Sequence, residues 1–239
     1  MPARWKVIGA AAVMVVACSA QGDDSVARRA LRAGHGFLQR GMIQMALPEY
    51  ERALAGELDA AQADEARYGM AVCSSRLAEW EDALRSLDGI TGAKGFAYSN
   101  DAVFLRGQCL MMLERFGEAA RTLGPIADDE SVGDKGISAW GMRIECLYRA
   151  GDAEGAERVW SKGASRAGQS EVAIRSAYFA ARAMQELGRV EQAAAALAKC
   201  ADDLRVETLG DHRALLQGRC LQEVGRTEEA LGAFDRAGG

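Results

Sequence analysis

Leu221–Ala237 reads LQEVGRTEEALGAFDRA, and this stretch decides the fold. An apolar run ends at Val224, and Gly225 interrupts it. A second run opens with Thr227, Glu228 and Glu229, then sets Ala230, Phe234 and Ala237 on one face. Spacings of three and four residues are the helical period. The small side chain of Ala230 lets a second helix come close to the first. The stretch is one helix–turn–helix hairpin.

Outward from it, the hairpin recurs. Ala46, Ala83, Ala119, Ala156, Ala193 and Ala230 are separated by 37, 36, 37, 37 and 37 residues. Self-similarity at this period signals stacked supersecondary units. Four residues after each alanine stand Tyr50, Leu87, Leu123, Trp160, Leu197 and Phe234, all apolar or aromatic. Five before it stand Gly41, Ala78, Glu114, Gly151, Gly188 and Gly225, a turn column in which glycine tolerates a left-handed backbone. Nine before it stand Phe37, Ser74, Leu110, Leu147, Met184 and Leu221, and twelve before it the mostly small Gly34, Ala71, Gly107, Ile144, Ala181 and Gly218. No single hairpin buries its apolar face alone, so neighbours must supply the core.

The pattern resembles the tetratricopeptide repeat. The matching residues are Gly34, Phe37, Gly41, Ala46, Tyr50 and Ala53 in the first unit, and Gly218, Leu221, Gly225, Ala230, Phe234 and Ala237 in the last. The unit is about three residues longer than the usual 34, and Pro48 should kink a second helix. The resemblance implies an all-α, right-handed α-solenoid of six helix–turn–helix repeats over residues 26–239. It also implies that first helices line an inner wall. By repeat position, one inward row holds Leu31, Tyr68, Phe104, Tyr178 and Leu215, and a second His35, Val72, Gln108, Glu145, Arg182 and Arg219. A third holds Leu38, Ser75, Met111, Tyr148, Gln185 and Gln222, flanked by Arg76, Arg149 and Glu186. Aromatic rings interleaved with arginines suit an extended peptide or partner helix, because both types dominate binding hot spots. The candidate partner-binding residues are therefore Tyr68, Arg76, Phe104, Tyr148, Arg149, Tyr178, Arg182 and Arg219. The lysine–asparagine clamp that chaperone-type members use for terminal carboxylates is missing.

Residues 1–17 read as a processing signal. Arg4 and Lys6 precede the uncharged run Val7–Ala17, too short for the about 20 residues a spanning helix needs. The run ends Val15-Val16-Ala17-Cys18, which resembles the bacterial lipoprotein signal. That resemblance implies a lipidated Cys18, with residues 18–25 as a short polar tether. Ser19 after the cysteine favours the outer membrane, with the protein facing the periplasm. The alternatives are an ordinary signal peptide with an incidental cysteine and an uncleaved anchor.

Removing Arg4 and Lys6 takes the formal net charge from −5 to −7, which argues against nucleic acid as a partner. Cys73, Cys109, Cys146 and Cys220 share one repeat column and read as small buried side chains. Cys200 could meet Cys220 across neighbouring hairpins. No zinc spacing, P-loop, GxSxG or dinucleotide fingerprint is present, so neither catalytic residues, a metal nor a cofactor is expected. The leading expectation is an envelope adaptor that binds protein partners and reaches the membrane through Cys18. The alternatives are a small-ligand or peptidoglycan-associated protein, and a structural element that self-assembles through its uncapped last repeat.

Overall fold

The computed structural model describes residues 25–165, 170–199 and 209–238. The expected signal segment, Cys18 and Cys200 lie outside these. Twelve α-helices occur among the described residues, with no strand. They are α1 (Val26–Gln39), α2 (Ile43–Leu54), α3 (Ala60–Arg76), α4 (Trp80–Asp88), α5 (Ser99–Met112), α6 (Phe116–Asp128), α7 (Asp134–Arg149), α8 (Ala153–Gly163), α9 (Glu171–Glu186), α10 (Val190–Ala198), α11 (Leu209–Glu223) and α12 (Thr227–Gly238). Pro48 does not end its helix, because α2 continues to Leu54.

The turn column sets every hairpin. Gly41, Ala78, Glu114, Gly151, Gly188 and Gly225 all have φ between +58° and +80°. The next amide then donates to the carbonyl five residues back. These pairs are Met42 to Phe37, Glu79 to Ser74, Arg115 to Leu110, Asp152 to Leu147, Arg189 to Met184 and Arg226 to Leu221, at 2.8–2.9 Å. This is the Schellman closure, which satisfies carbonyls left over at a helix end. Four of the six positions are glycine. Ala78 and Glu114 hold the same left-handed backbone with a Cβ, which costs about 1–2 kcal/mol each.

The alanine column is the closest contact. Its six members are 0–2% exposed. Where the facing first helix carries glycine, the partner ring or leucine occupies the vacated space. A Cβ on Gly34 would stand 2.9 Å from the Tyr50 ring, one on Gly107 2.4 Å from Leu123, and one on Gly218 2.4 Å from Phe234. Gly69 of the next hairpin closes on the same Tyr50 ring, at 2.3 Å. These glycines are volume constraints, since overpacking costs about 1–3 kcal/mol. The cysteine column behaves as expected. Cys73, Cys109, Cys146 and Cys220 are free, fully buried thiols. Burial pushes Cys73 up to about 11 and Cys109 and Cys146 up to about 12, which leaves them unreactive.

The chain divides into two compact units, residues 1–102 and 103–239, with α5 beginning in the first and ending in the second. In the first, α1 packs on α2, α2 on α3 and α3 on α4. In the second, α6 packs on α7, α7 on α8 and α9, α9 on α10, α10 on α11, and α11 on α12. Each unit is thus a stack of hairpins in sequence order, an all-α architecture of the repeat-solenoid class.

The first unit also contains a feature outside the repeat. Asp64 of α3 is fully buried. It accepts hydrogen bonds from the Thr91 amide (3.0 Å), the Thr91 hydroxyl (2.9 Å), the Ala93 amide (3.0 Å) and Arg67 (3.0 Å). One carboxylate thereby fixes the long connection between α4 and α5 against α3. Burial raises the Asp64 pKa, but these donors outweigh it and hold the carboxyl below its ordinary value.

Candidate functional site

The last turn of α7 carries Glu145, Tyr148 and Arg149, and α9 carries Arg175, Tyr178, Phe179 and Arg182. Glu145 is 0% exposed. Arg149, one helical turn later, forms an ion pair with it at 2.7 Å. Arg175 reaches it from the neighbouring hairpin through Nε at 2.7 Å and Nη2 at 3.1 Å. A carboxylate removed from water needs such donors, and a forked guanidinium supplies two at once.

The arginines are held in turn by rings. The Phe179 ring lies 5.7 Å from the guanidinium carbons of both Arg149 and Arg175. Arg149 also sits 5.3 Å over Phe116 at the start of α6. Phe179 meets Tyr148 at 5.8 Å and Tyr178 edge-on at 5.4 Å. Arg182 lies 5.9 Å from the Tyr148 ring, and its charge is favoured by the neighbouring phenols of Tyr148 and Tyr178. Burial, and then the neighbouring Glu186 carboxylate, hold the Tyr148 phenol above its ordinary value, so it stays neutral at physiological pH. Tyr148, Tyr178 and Arg182 are half-buried, while Arg149 is exposed. A surface of this kind has its rotamers set before any partner arrives, which lowers the entropy lost on binding. Guanidinium over aromatic faces adds about 0.5–2 kcal/mol per contact.

Of the eight residues expected from sequence, the structure brings four together: Tyr148, Arg149, Tyr178 and Arg182. Phe104 is half-buried on α5 and Arg219 exposed on α11, and neither shares a ring or ion-pair contact with the cluster among the described residues. Arg76 is exposed at the end of α3. Tyr68 departs from its expected open position. It is 6% exposed, stacked on Tyr98 at 5.3 Å and edge-on to Phe96 at 6.4 Å, both from the connection that Asp64 holds. His35 and Leu31, also expected on the inner wall, are buried in the first hairpin. His35 packs 5.5 Å from the Tyr50 ring, and burial lowers its pKa to about 4. Its Nε2 has no hydrogen-bond partner.

Phe179, Arg175 and Phe116 escaped the sequence reading. One signal pointed toward them. In the row His35, Val72, Gln108, Glu145, Arg182, Arg219, Glu145 is the only carboxylate, and a buried carboxylate requires a cation from another element.

Two clefts lie beside the stacked hairpins. In the first unit a cleft of about 430 Å³ runs between α2 and α4 above α3, lined in part by Leu47, Glu51, Arg67, Met70, Glu79 and Asp82. In the second unit a smaller one, about 140 Å³, is lined by Asp128, Trp140, Arg143, Arg158, Val159, Lys162 and Gly163. Among the described residues, no group of three His, Cys, Asp or Glu is placed to hold a metal ion. No helix among them is long and apolar enough to cross a membrane.

No protein-family model and no curated protein matches the sequence. Among solved structures the chain is similar to a tetratricopeptide repeat protein from Parabacteroides merdae, at 18% identity and a TM-score of 0.50, covering 90% of this chain and 78% of that one. It is also similar to NprR in complex with its cognate peptide NprX, at 11% identity and a TM-score of 0.51, covering 91% and 67%. The fold is that of the tetratricopeptide repeat proteins.

Proposed function

We propose that this chain is a protein-interaction scaffold whose second unit grips an extended segment of a partner protein on the α7–α9 surface. The observation that carries the reading is the arginine–tyrosine cluster fixed by Glu145. Tyr148, Arg149, Tyr178 and Arg182 remain accessible, yet each is already held by a neighbouring ring or carboxylate. Tyrosine and arginine are the residue types over-represented where binding energy concentrates. A protein of similar fold, NprR, was solved with its cognate peptide, which supports a peptide as the kind of occupant. The parts of the site are donors and ring faces, suited to binding rather than to bond-breaking chemistry.

The scaffold is proposed to work at a membrane. The run Val7–Ala17 followed by Cys18 supports a lipid anchor, and two or more acyl chains hold a protein firmly where one does so only marginally. The location that follows is the bacterial cell envelope, with the outer membrane as the favoured membrane and the protein facing the periplasm. Labelling cells with radioactive palmitate tests the anchor: the native chain incorporates label and Cys18→Ala does not. Equal labelling of both, or of neither, contradicts it.

The partner site is tested by placing a photo-crosslinking phenylalanine analogue at Tyr178, with the exposed Leu231 as control position. The proposal expects one discrete adduct at position 178, mapping to a single segment of one partner. It also expects the adduct to be lost when Arg149 and Arg182 are both changed to Ala. Identical adducts at both positions would overturn it.

A further inference from the structure

The 140 Å³ cleft of the second unit is not used by the scaffold reading. It is far smaller than the roughly 300–1,000 Å³ of a pocket for a drug-sized molecule, so its natural occupant is an ion or one small group. Its walls are cationic. Arg158 and Lys162 stand one turn apart on α8, and Arg143 comes from α7. Asp128 is the one carboxylate in the lining and is paired with Arg143 at 2.8 Å. Arg158 and Lys162 have no carboxylate within ion-pair distance among the described residues; of the two acids on α8, Glu157 pairs with Arg189 and Glu154 stands one turn before Arg158. Two like charges one turn apart destabilise a helix unless something compensates them.

Arg143 supplies a second, independent sign. Its side chain is 23% exposed, and its guanidinium lies over Gly124, where a Cβ would approach to 3.5 Å. Its Nε is buried without a hydrogen-bond partner. A buried N–H on a charged group without an acceptor is unfavourable, and an anion in the cleft would relieve that cost. The shape of the cleft is also fixed. Trp140 donates through Nε1 to the Val159 carbonyl at 3.1 Å, stacks on Trp160 at 5.7 Å, and leaves no room for a side chain at Gly163.

The repeat register shows that the charge belongs to this hairpin rather than to the fold. Trp140, Arg143, Arg158, Val159 and Lys162 occupy the positions held by Arg67, Met70, Arg85, Ser86 and Gly89 two repeats earlier. That earlier groove has Glu51, Glu79 and Asp82 in its lining. Equivalent grooves thus carry opposite surroundings.

We propose that the cleft formed by Arg143, Arg158 and Lys162 binds a doubly charged tetrahedral oxyanion, either free phosphate or the phosphate of a monoester. The fork of Arg143 suits two oxygens of one phosphorus, and the other two cations balance the dianion.

The test follows the Trp140 indole N–H by NMR in the full chain during titration with inorganic phosphate and, in a parallel arm, glycerol 1-phosphate. Either ligand should produce a saturable shift at Trp140 in the millimolar range or below, while sodium chloride at matched ionic strength should not. Arg158→Gln with Lys162→Gln should weaken the affinity about tenfold or more, which corresponds to 1.4 kcal/mol. Both residues are exposed, so this variant keeps its helical circular dichroism. The arm that binds more tightly identifies free or esterified phosphate as the source. Absence of a saturable shift in both arms, a shift that chloride reproduces, or undiminished binding by the double variant would each overturn the site.

Discussion

Among the described residues, each unit buries one carboxylate completely, and the two are treated differently. Asp64 in the first unit is satisfied by two backbone amides and a hydroxyl of the connection that follows α4, with Arg67 as its only cation. Glu145 in the second is satisfied by two arginines, one on its own helix and one on the next hairpin. The first arrangement locks a loop and draws Tyr68, Phe96 and Tyr98 into a closed aromatic group. The second holds guanidinium groups against ring faces at the surface. The difference teaches that a buried acid is a device whose use depends on its donors. Amides of a loop make it a structural pin, whereas side-chain cations make it the base of a recognition surface.

Breaking the second device has the largest expected effect. Glu145→Gln removes the carboxylate charge that Arg149 and Arg175 share, and breaking a buried pair costs about 3–5 kcal/mol. Hydrogen exchange should locate the main loss of protection in α7 and α9. A stability change below 1 kcal/mol would deny Glu145 this role.

The neutral counterpart in the first unit comes next. His35 is buried uncharged, with its folded pKa lowered to about 4 from an unfolded value of 6.5. The unfolded chain therefore binds the proton first, and stability falls as pH drops from about 6.5 toward 4. The maximum loss is on the order of 3 kcal/mol. His35→Phe removes this dependence and spares an unpartnered Nε2. Denaturant midpoints at pH 7 and pH 4.5 measure it, and an unchanged difference between native and variant would contradict the assignment.

Asp64→Asn should cost less, about 2 kcal/mol, because the amide keeps one good acceptor while its NH2 faces donors. Its signature is local: faster exchange at the Thr91 and Ala93 amides. Since the folded carboxyl is held low, its contribution is present at neutral pH and disappears as pH falls below about 4. The native protein should show an acid-induced loosening of this loop that the variant lacks.

The smallest effect is a gain, with one site in each unit. Ala78→Gly and Glu114→Gly relieve the left-handed strain at φ +62° and +58°. Greater freedom of the unfolded glycine offsets part of it, leaving about 0.5–1 kcal/mol each. For a chain of this length that is roughly 1–4 °C in Tm for each substitution, read by thermal melts.

What was legible in the sequence follows from the same contrast. The hairpins could be read because all six obey one set of backbone demands: a left-handed residue at the turn, a small residue at the crossing and a bulky one four positions on. Such demands are local and repeat, so Gly41 and Gly225 announce the same turn. The site was half legible. Tyr148, Arg149, Tyr178 and Arg182 could be placed on one wall by register alone. Phe179 and Arg175 could not, because their roles depend on a contact between hairpins that no periodicity encodes. Tyr68 was assigned to the open wall for the opposite reason: its burial is due to a connection outside the repeat, fixed by Asp64.

The most direct test of the account is the affinity of the crosslinked partner segment, as a synthetic peptide, for the native chain and for the variant with Arg149 and Arg182 changed to Ala. The account predicts that the peptide binds the native chain and that the variant loses at least about 2 kcal/mol, or roughly thirtyfold. Equal affinity for the two proteins would contradict it.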